Sequence, residues 1–342
     1  MRTRVLIGML TAGSVALSAC GSSASDKSHP TLKVAYFQGA VAGPDAVVVA
    51  NPSLASAVQA KIELHPVDSG VAGIAQLRAG AFPVISGVGN PPFVGAVANG
   101  TDVTAVYVES LDQAGLVVSD KIKTNADLVG KKVGVLVGST LDFEFKGWAK
   151  SNGLEGKVEA AGFASEAAED AAFKSGRLDA VYISQSFLLD LLKHNGRVVA
   201  TAADIARLGY AAVGILAVST PYIKSNPAIV QQLVCQVSKA QGLEAGPDAP
   251  AYITPAAKFL GVAAADAIAG TKGYPFIPDS EELAWLKGPD GTTKTSRLAQ
   301  NFTLTGQFLL AQGRAKSVPG VDELGRHIDA TFWEKTQSGG CK

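Results

Sequence analysis

The sequence predicts an α/β protein of two lobes, each a doubly wound, mainly parallel sheet, and three observations carry that expectation. Strand and helix signals alternate in βαβα order over residues 31–100, the order that crossover connections build into a parallel sheet. The strand candidates are near-continuous apolar runs with β-branched residues such as Val133, Val135 and Val137, which suits strands covered on both faces. At four places a strand runs into a turn of small polar residues and then a helix start. The clearest is 132–154, where Gly138-Ser139-Thr140 separates a strand from a helix that Ser139 or Thr140 can cap.

Residues 32–37 read as the first strand, ended by Gln38-Gly39. A helix continues over 51–60, and 61–67 is a second strand. Asp68-Ser69-Gly70 caps a helix over 71–79 that Gly80 closes. A third strand over 81–86 turns at 87–92 into a helix that runs to Asn99-Gly100. Prolines suit its first turn, because the N–H they lack has no partner there. A fourth strand covers 103–108; residues 109–113 are polar, 115–118 are extended again, and here the chain crosses into a second lobe. That lobe takes the 131–137 strand and its helix, a helix over 164–174, a strand over 178–183, a helix over 185–194 and a strand over 197–201. The extended run 210–219 carries the chain back, and helices over 227–244, 252–260, 280–287 and 298–312 pack around the first lobe. Lobe one is thus 31–111 with 216–342, and lobe two is 112–215.

The 342 residues are 47% hydrophobic, enough for two cores. Thirty basic and thirty acidic residues cancel, so no basic face for nucleic acid is implied. Arg2 and Arg4 precede an apolar run over 5–17, too short to span a bilayer and suited to a signal-peptide core. Leu17-Ser18-Ala19-Cys20-Gly21 resembles a bacterial lipobox. Cleavage before Cys20 would make 1–19 a lipoprotein signal peptide, leave Cys20 as the lipid anchor and 20–30 as a flexible tether, and place the protein on the extracytoplasmic face of the membrane. A plain secretory signal with a chance cysteine is the alternative. Cys235 and Cys341 either pair or stay as two thiols; their spacing does not decide. His29, His65, His194 and His327 are scattered, no metal-ligand spacing occurs, and neither a metal nor another cofactor is expected.

Four stretches follow one another in an order found in one family: VDSG at 67–70, GVGNPPF at 87–93, DLVGKKVGV at 127–135 and SGRLDAVY at 175–182. On these residues the chain resembles the periplasmic substrate-binding components of taurine, aliphatic-sulfonate and nitrate ABC importers, over nearly all of 32–318. The resemblance implies the type II periplasmic-binding-protein fold, a cleft between the lobes that closes as a hinge, permease and ATPase partners, a small-molecule solute and no catalysis.

Ligands of open α/β sheets bind outside the carboxyl ends of strands, which places Gln38, Asn90, Ser139, Thr140, Ser184 and Gln185 at the cleft. Gln113 stands beside Ala114, where the taurine-type members carry an acid suited to their ligand's ammonium. Asp142, one turn into the helix after Thr140, is the nearest other acid. It either meets a ligand's ammonium or hydroxyl, or answers its own helix dipole. Glu109 and Asp112 read as solvated hinge residues. With no Arg fork at the cleft positions, the expected ligand is a small, singly anionic, zwitterionic or neutral organic solute, foremost an alkyl or amino sulfonate such as a taurine-like compound. Two further classes stay open. One is an enzyme on the same fold, of the kind that makes a pyrimidine precursor or dehydrates a small acid, although no His lies at a strand end and no GxSxG elbow occurs. The other is a ligand-sensing partner of a membrane receptor.

Overall fold

The computed structural model describes residues 30–37 and 43–341. Signal segment, Cys20, nearly all of the tether and Gln38 lie outside the described residues. Sheet one holds β1 (Thr31–Phe37), β2 (Lys61–Val67), β3 (Val84–Gly89), β4 (Val103–Leu111) and β10 (Val213–Ser219); sheet two holds β5 (Ala114–Val118), β6 (Lys132–Leu136), β7 (Glu159–Phe163), β8 (Ala180–Ser184) and β9 (Arg197–Thr201). The strand orders are β2-β1-β3-β10-β4 and β7-β6-β8-β5-β9. Four strands of each sheet point the same way, and the fifth, β10 or β5, runs antiparallel between two of them. Each odd strand is the first one laid down after the chain has changed sheets. The two crossing segments lie side by side, the Asp112 N–H donating to the Ala212 carbonyl at 3.0 Å.

The helices between β1 and β5 are α1 (Pro44–Ala50), α2 (Pro52–Ala55), α3 (Gly70–Arg78) and α4 (Asn90–Ala98); those of sheet two are α5 (Thr140–Ser151), α6 (Glu166–Lys174), α7 (Gln185–Leu192) and α8 (Ala202–Arg207). After β10 come α9 (Thr220–Ser225), α10 (Pro227–Ala245), α11 (Ala249–Leu260), α12 (Ala264–Thr271), α13 (Asp279–Leu286), α14 (Arg297–Ala311), α15 (Val321–Arg326) and α16 (Thr331–Gln337). Of the helix expected over 51–60 only the short α2 forms, and the longer α1 precedes it, ending where Asn51 turns extended ahead of Pro52, because a residue before proline is pushed out of the helical region. Strand β7 gave no sequence signal: EAAGF is poor in β-branched residues.

Both faces of each sheet are covered, as the continuous apolar strands require. In sheet two, Leu116, Val118 and Tyr182 pack with Leu141, Phe145 and Trp148 on one face, while Val117, Val181 and Ile183 pack with Phe173, Leu188 and Leu191 on the other. A larger core surrounds sheet one and includes the Phe93–Phe302 stack at 4.8 Å between ring centroids. Cys235 of α10 is disulfide-bonded to Cys341, which ties the C-terminal tail to that helix. Among the described residues no helix is long and apolar enough to cross a membrane.

The two lobes meet along a second seam beside the cleft. Phe143 of α5 sits edge-on to Phe308 of α14 at 5.3 Å and to Tyr210 at 5.6 Å. Lys146 donates to the Gln312 side chain at 2.7 Å and lies over the Phe308 ring. This seam holds α5 by its side while its N-terminus points into the cleft.

Candidate functional site

A cleft of about 450 Å³ opens between the sheets. It is walled by strand ends and by the starts of α3, α5, α6 and α7, which contribute Gly70, Thr140, Ala167 and Ser186. The first N–H groups of a helix have no intrahelical acceptor, so these starts offer donors and partial positive charge to whatever binds. Ser69 and Ser165 cap α3 and α6 by accepting from the Ala72 and Ala168 N–H groups.

Of the residues singled out from sequence, Gln113, Ser139, Thr140, Ser184 and Gln185 line this cleft. Their hydroxyls are not equally free. Ser139 Oγ accepts from the Leu141 N–H at 3.1 Å and donates to the Leu136 carbonyl at 2.7 Å, so it is committed as the cap of α5. Ser184 is held by Glu166, whose carboxylate accepts from both its N–H, at 2.8 Å, and its hydroxyl. The Gln185 N–H goes to the Gln113 carbonyl at 2.7 Å, which pins α7 to the crossing segment. Thr140 has no such local bond; its hydroxyl faces the Asp112 carboxylate, and its methyl group lies where a side chain on Gly89, across the cleft, would clash.

Two expectations are corrected. Asn90 is fully buried and turned away from the cleft: its Nδ2 donates to Thr305 Oγ1 at 2.7 Å, which fastens α4 to α14. Asp142 is also outside the cleft wall, 1% exposed and enclosed by positive groups. It accepts from the Gly138 N–H at 3.0 Å and pairs with Lys146 at 2.8 Å and Arg314 at 3.3 Å. The alternative of an acid answering its own helix start is the one realised, with two cations added.

A third correction concerns Glu109 and Asp112: both line the cleft, Glu109 as a buried acid of β4 and Asp112 as a partly buried acid that does lie on a crossing segment. Glu109, at the carboxyl end of β4, is 5% exposed and lines the cleft. Ser86 Oγ donates to its Oε1 at 2.9 Å. Burial pushes the Glu109 carboxyl up to about 8, and the nearby Asp45 adds to the shift. Asp45, in the first turn of α1, is raised to about 6 by burial, against the lowering effect of backbone N–H groups and Ser86. Asp112 and Glu166 are raised as well, both chiefly by burial. Asp45, Ser86, Tyr274 and Phe276 were not anticipated as cleft residues. For Glu109 a signal existed: it ends a strand at the carboxyl side, where ligands of such sheets bind. For Tyr274 and Phe276 none did, because they reach the cleft through an irregular segment laid along the end of β4, with the Leu111 N–H bonded to the Pro275 carbonyl. Among the described residues no cluster of His, Cys, Asp and Glu could hold a metal ion.

No protein-family model matches the sequence, and no curated protein matches it. Solved structures do match it in shape. The alkanesulfonate-binding protein SsuA from Xanthomonas axonopodis pv. citri, bound to MOPS, superposes with a TM-score of 0.67 at 20% identity, covering 88% of this chain and 99% of that one. The periplasmic nitrate-binding protein NrtA from Synechocystis PCC 6803 gives 0.68 at 13% identity over 91% and 89%. The desulfurization enzyme DSZB gives 0.61 at 19% identity over 91% and 100%. At these identities the likeness is one of architecture, and the architecture is the two-lobed periplasmic-binding-protein fold, two mixed α/β sheets with a cleft between them.

Proposed function

We propose that the chain is the extracytoplasmic solute-binding component of an ABC importer, anchored through lipidated Cys20 and handing a small organic solute, foremost a sulfonate, to permease and ATPase subunits. The observation that carries this reading is the cleft itself: four helix starts converge on a space between two lobes joined by two crossing segments. That arrangement suits an oxyanion held by N–H groups and released when the lobes part. Thr140 is the hydroxyl best placed to help, since Ser139 and Ser184 are bonded elsewhere. Alkanesulfonate- and nitrate-binding proteins with the same architecture support the assignment, and Gln38, next to β1, remains a proposed contact. The fold by itself does not choose binding over catalysis, because a desulfurization enzyme shares it.

A single experiment with two arms tests this. The purified protein is heated with a panel of small sulfonates, amines, carboxylates and phosphates, and the solutes are recovered afterwards. A receptor gains about 2.7 kcal/mol from a ligand at 100 times its Kd and returns it unchanged. A panel in which only phosphates stabilise, or in which the solute is consumed, overturns the assignment. The second arm fractionates cells carrying the parent or Cys20→Ala: the variant should leave the membrane or stay unprocessed, and a processed variant that still sediments with membranes removes the lipid anchor from the proposal.

A further inference from the structure

The cleft wall is strongly one-sided in its charged side chains. Five carboxylic acids line it, Asp45, Asp68, Glu109, Asp112 and Glu166, and among the described residues that line it there is no lysine, arginine or histidine. Asp45 is 8% exposed, lines the cleft, and has one oxygen, Oδ2, with no hydrogen-bond partner. Buried carboxylate oxygens normally find a donor, and none of the described residues supplies one here. Ser86 lies beside both Asp45 and Glu109, its one hydroxyl proton going to Glu109, and Glu244 of α10, 4% exposed with no partner for either oxygen among the described residues, stands close to both acids. Phe37 lies beside the Glu109 carboxylate, each within 4 Å of the position a Gly87 side chain would take. Tyr274 and Phe276, 4.8 Å apart between ring centroids, complete an aromatic wall at the same end of β4.

From this arrangement we propose that Asp45 and Glu109, with Ser86 beside them, form a cation-binding pole, so that the solute is an organic amine, with its ammonium group against the two carboxylates and its carbon chain along Phe37, Tyr274 and Phe276. The inference rests on the solute-receptor reading and narrows it: a sulfonate bound at the helix starts has to carry an amine as well. A bare anion would meet five acids and no cationic side chain. An ammonium gains charge-assisted hydrogen bonds and ring faces in a site already stripped of water. The raised positions of Asp45 and Glu109 agree with acids that lack a cation in the unliganded protein.

Three matched probes, 3-aminopropanesulfonate, propanesulfonate and propylamine, titrated calorimetrically into the purified protein, test the pole. The amino sulfonate should bind, and removing its amine should weaken it about ten- to a hundredfold. Glu109→Gln and Asp45→Asn, each checked for cooperative thermal unfolding, should erase most of that difference while leaving propanesulfonate equal or tighter. Propylamine binding as well as the amino sulfonate keeps the pole and removes the sulfonate from the proposed function. Propanesulfonate binding as tightly as the amino sulfonate, an amine increment that survives in folded Glu109→Gln and Asp45→Asn, or binding of none of the three overturns the pole.

Discussion

Asp142 and Glu109 are both buried carboxylates at places where the lobes approach each other, 1% and 5% exposed, and their surroundings are opposite. Asp142 is met by the Gly138 N–H, Lys146 and Arg314, so its charge is neutralised within the protein. Glu109 is met by the Ser86 hydroxyl and the Gly87 backbone and lies near other acids. The first arrangement fastens α5 beside α14 and leaves nothing for a ligand. The second leaves an acid without a counter-charge in the wall of a cleft. A buried acid marks a binding site by the partner it lacks, and a helix-start position alone does not show that.

The sharpest way to break the contrast is to titrate it. Glu109 faces Asp45 from α1, Ser86 and the Gly87 N–H from β3, Glu244 from α10 and Tyr274 from the segment after α12. Its folded pKa, about 8, stands above the unfolded value of 4.5, so the folded protein keeps this proton longer than the unfolded chain does. Stability from this group is therefore full below about pH 4.5 and is lost as pH rises through 8, a change of roughly 3 to 5 kcal/mol for such a shift. Glu169, fully buried with both oxygens unpartnered, is raised to about 9 and adds a similar slope. Denaturant melts of the ligand-free protein from pH 5 to pH 9 should show falling stability. Glu109→Gln should flatten the curve and be the more stable protein at pH 9. An unchanged slope in Glu109→Gln would mean that Glu109 carries a counter-charge the structure does not supply.

The next effect runs the other way and tries to turn Asp142 into a second Glu109. Arg314→Met with Lys146→Met leaves the Asp142 carboxylate with only the Gly138 N–H. Loss of the partners of a buried ion costs several kcal/mol, but both cations here are partly exposed, so the expected loss is about 2 to 3 kcal/mol in urea melts. Adding Asp142→Asn should restore most of it. A double variant as stable as the parent would place Asp142 with the surface acids.

Much of the architecture was legible because it is written locally. Continuous apolar runs such as 103–108 and 115–118 are marked by their β-branched residues and short length, and the turn at 138–140 carries its own cap. The site was legible by half. Ser139, Thr140, Ser184 and Gln185 follow from where strands end and Gln113 from the family resemblance, yet whether a hydroxyl is spent as a cap depends on one hydrogen bond that spacing does not fix. Asn90 and Asp142 were misplaced because their partners, Thr305 and Arg314, lie on a helix more than 150 residues further on and on the turn after it. Asp45 was missed for the same reason: its neighbours Ser86 and Glu109 come from two strands that only the folded sheet brings beside α1. Long-range partners decide what a polar side chain is for, and no local pattern records them.

The smallest effect separates two adjacent hydroxyls at the start of α5, and it extends the same contrast to uncharged groups. Ser139 Oγ is used within the helix cap, so Ser139→Ala should cost about 1 kcal/mol of stability. Ligand affinity, measured where both proteins are fully folded, should then change little. Thr140 is the reverse: its hydroxyl caps nothing and faces the cleft and Asp112. Thr140→Val keeps the branched shape and removes one hydrogen-bonding group, so stability should hold while affinity for the solute falls by about 0.5 to 1.5 kcal/mol, a few-fold to about tenfold. If Ser139→Ala lowers affinity and Thr140→Val does not, the ligand reaches past the helix start and competes for the cap itself. The N–H groups of α5 that Ser139 now satisfies would then belong to the binding surface, and the anionic end of the solute would sit one residue closer to Gly138.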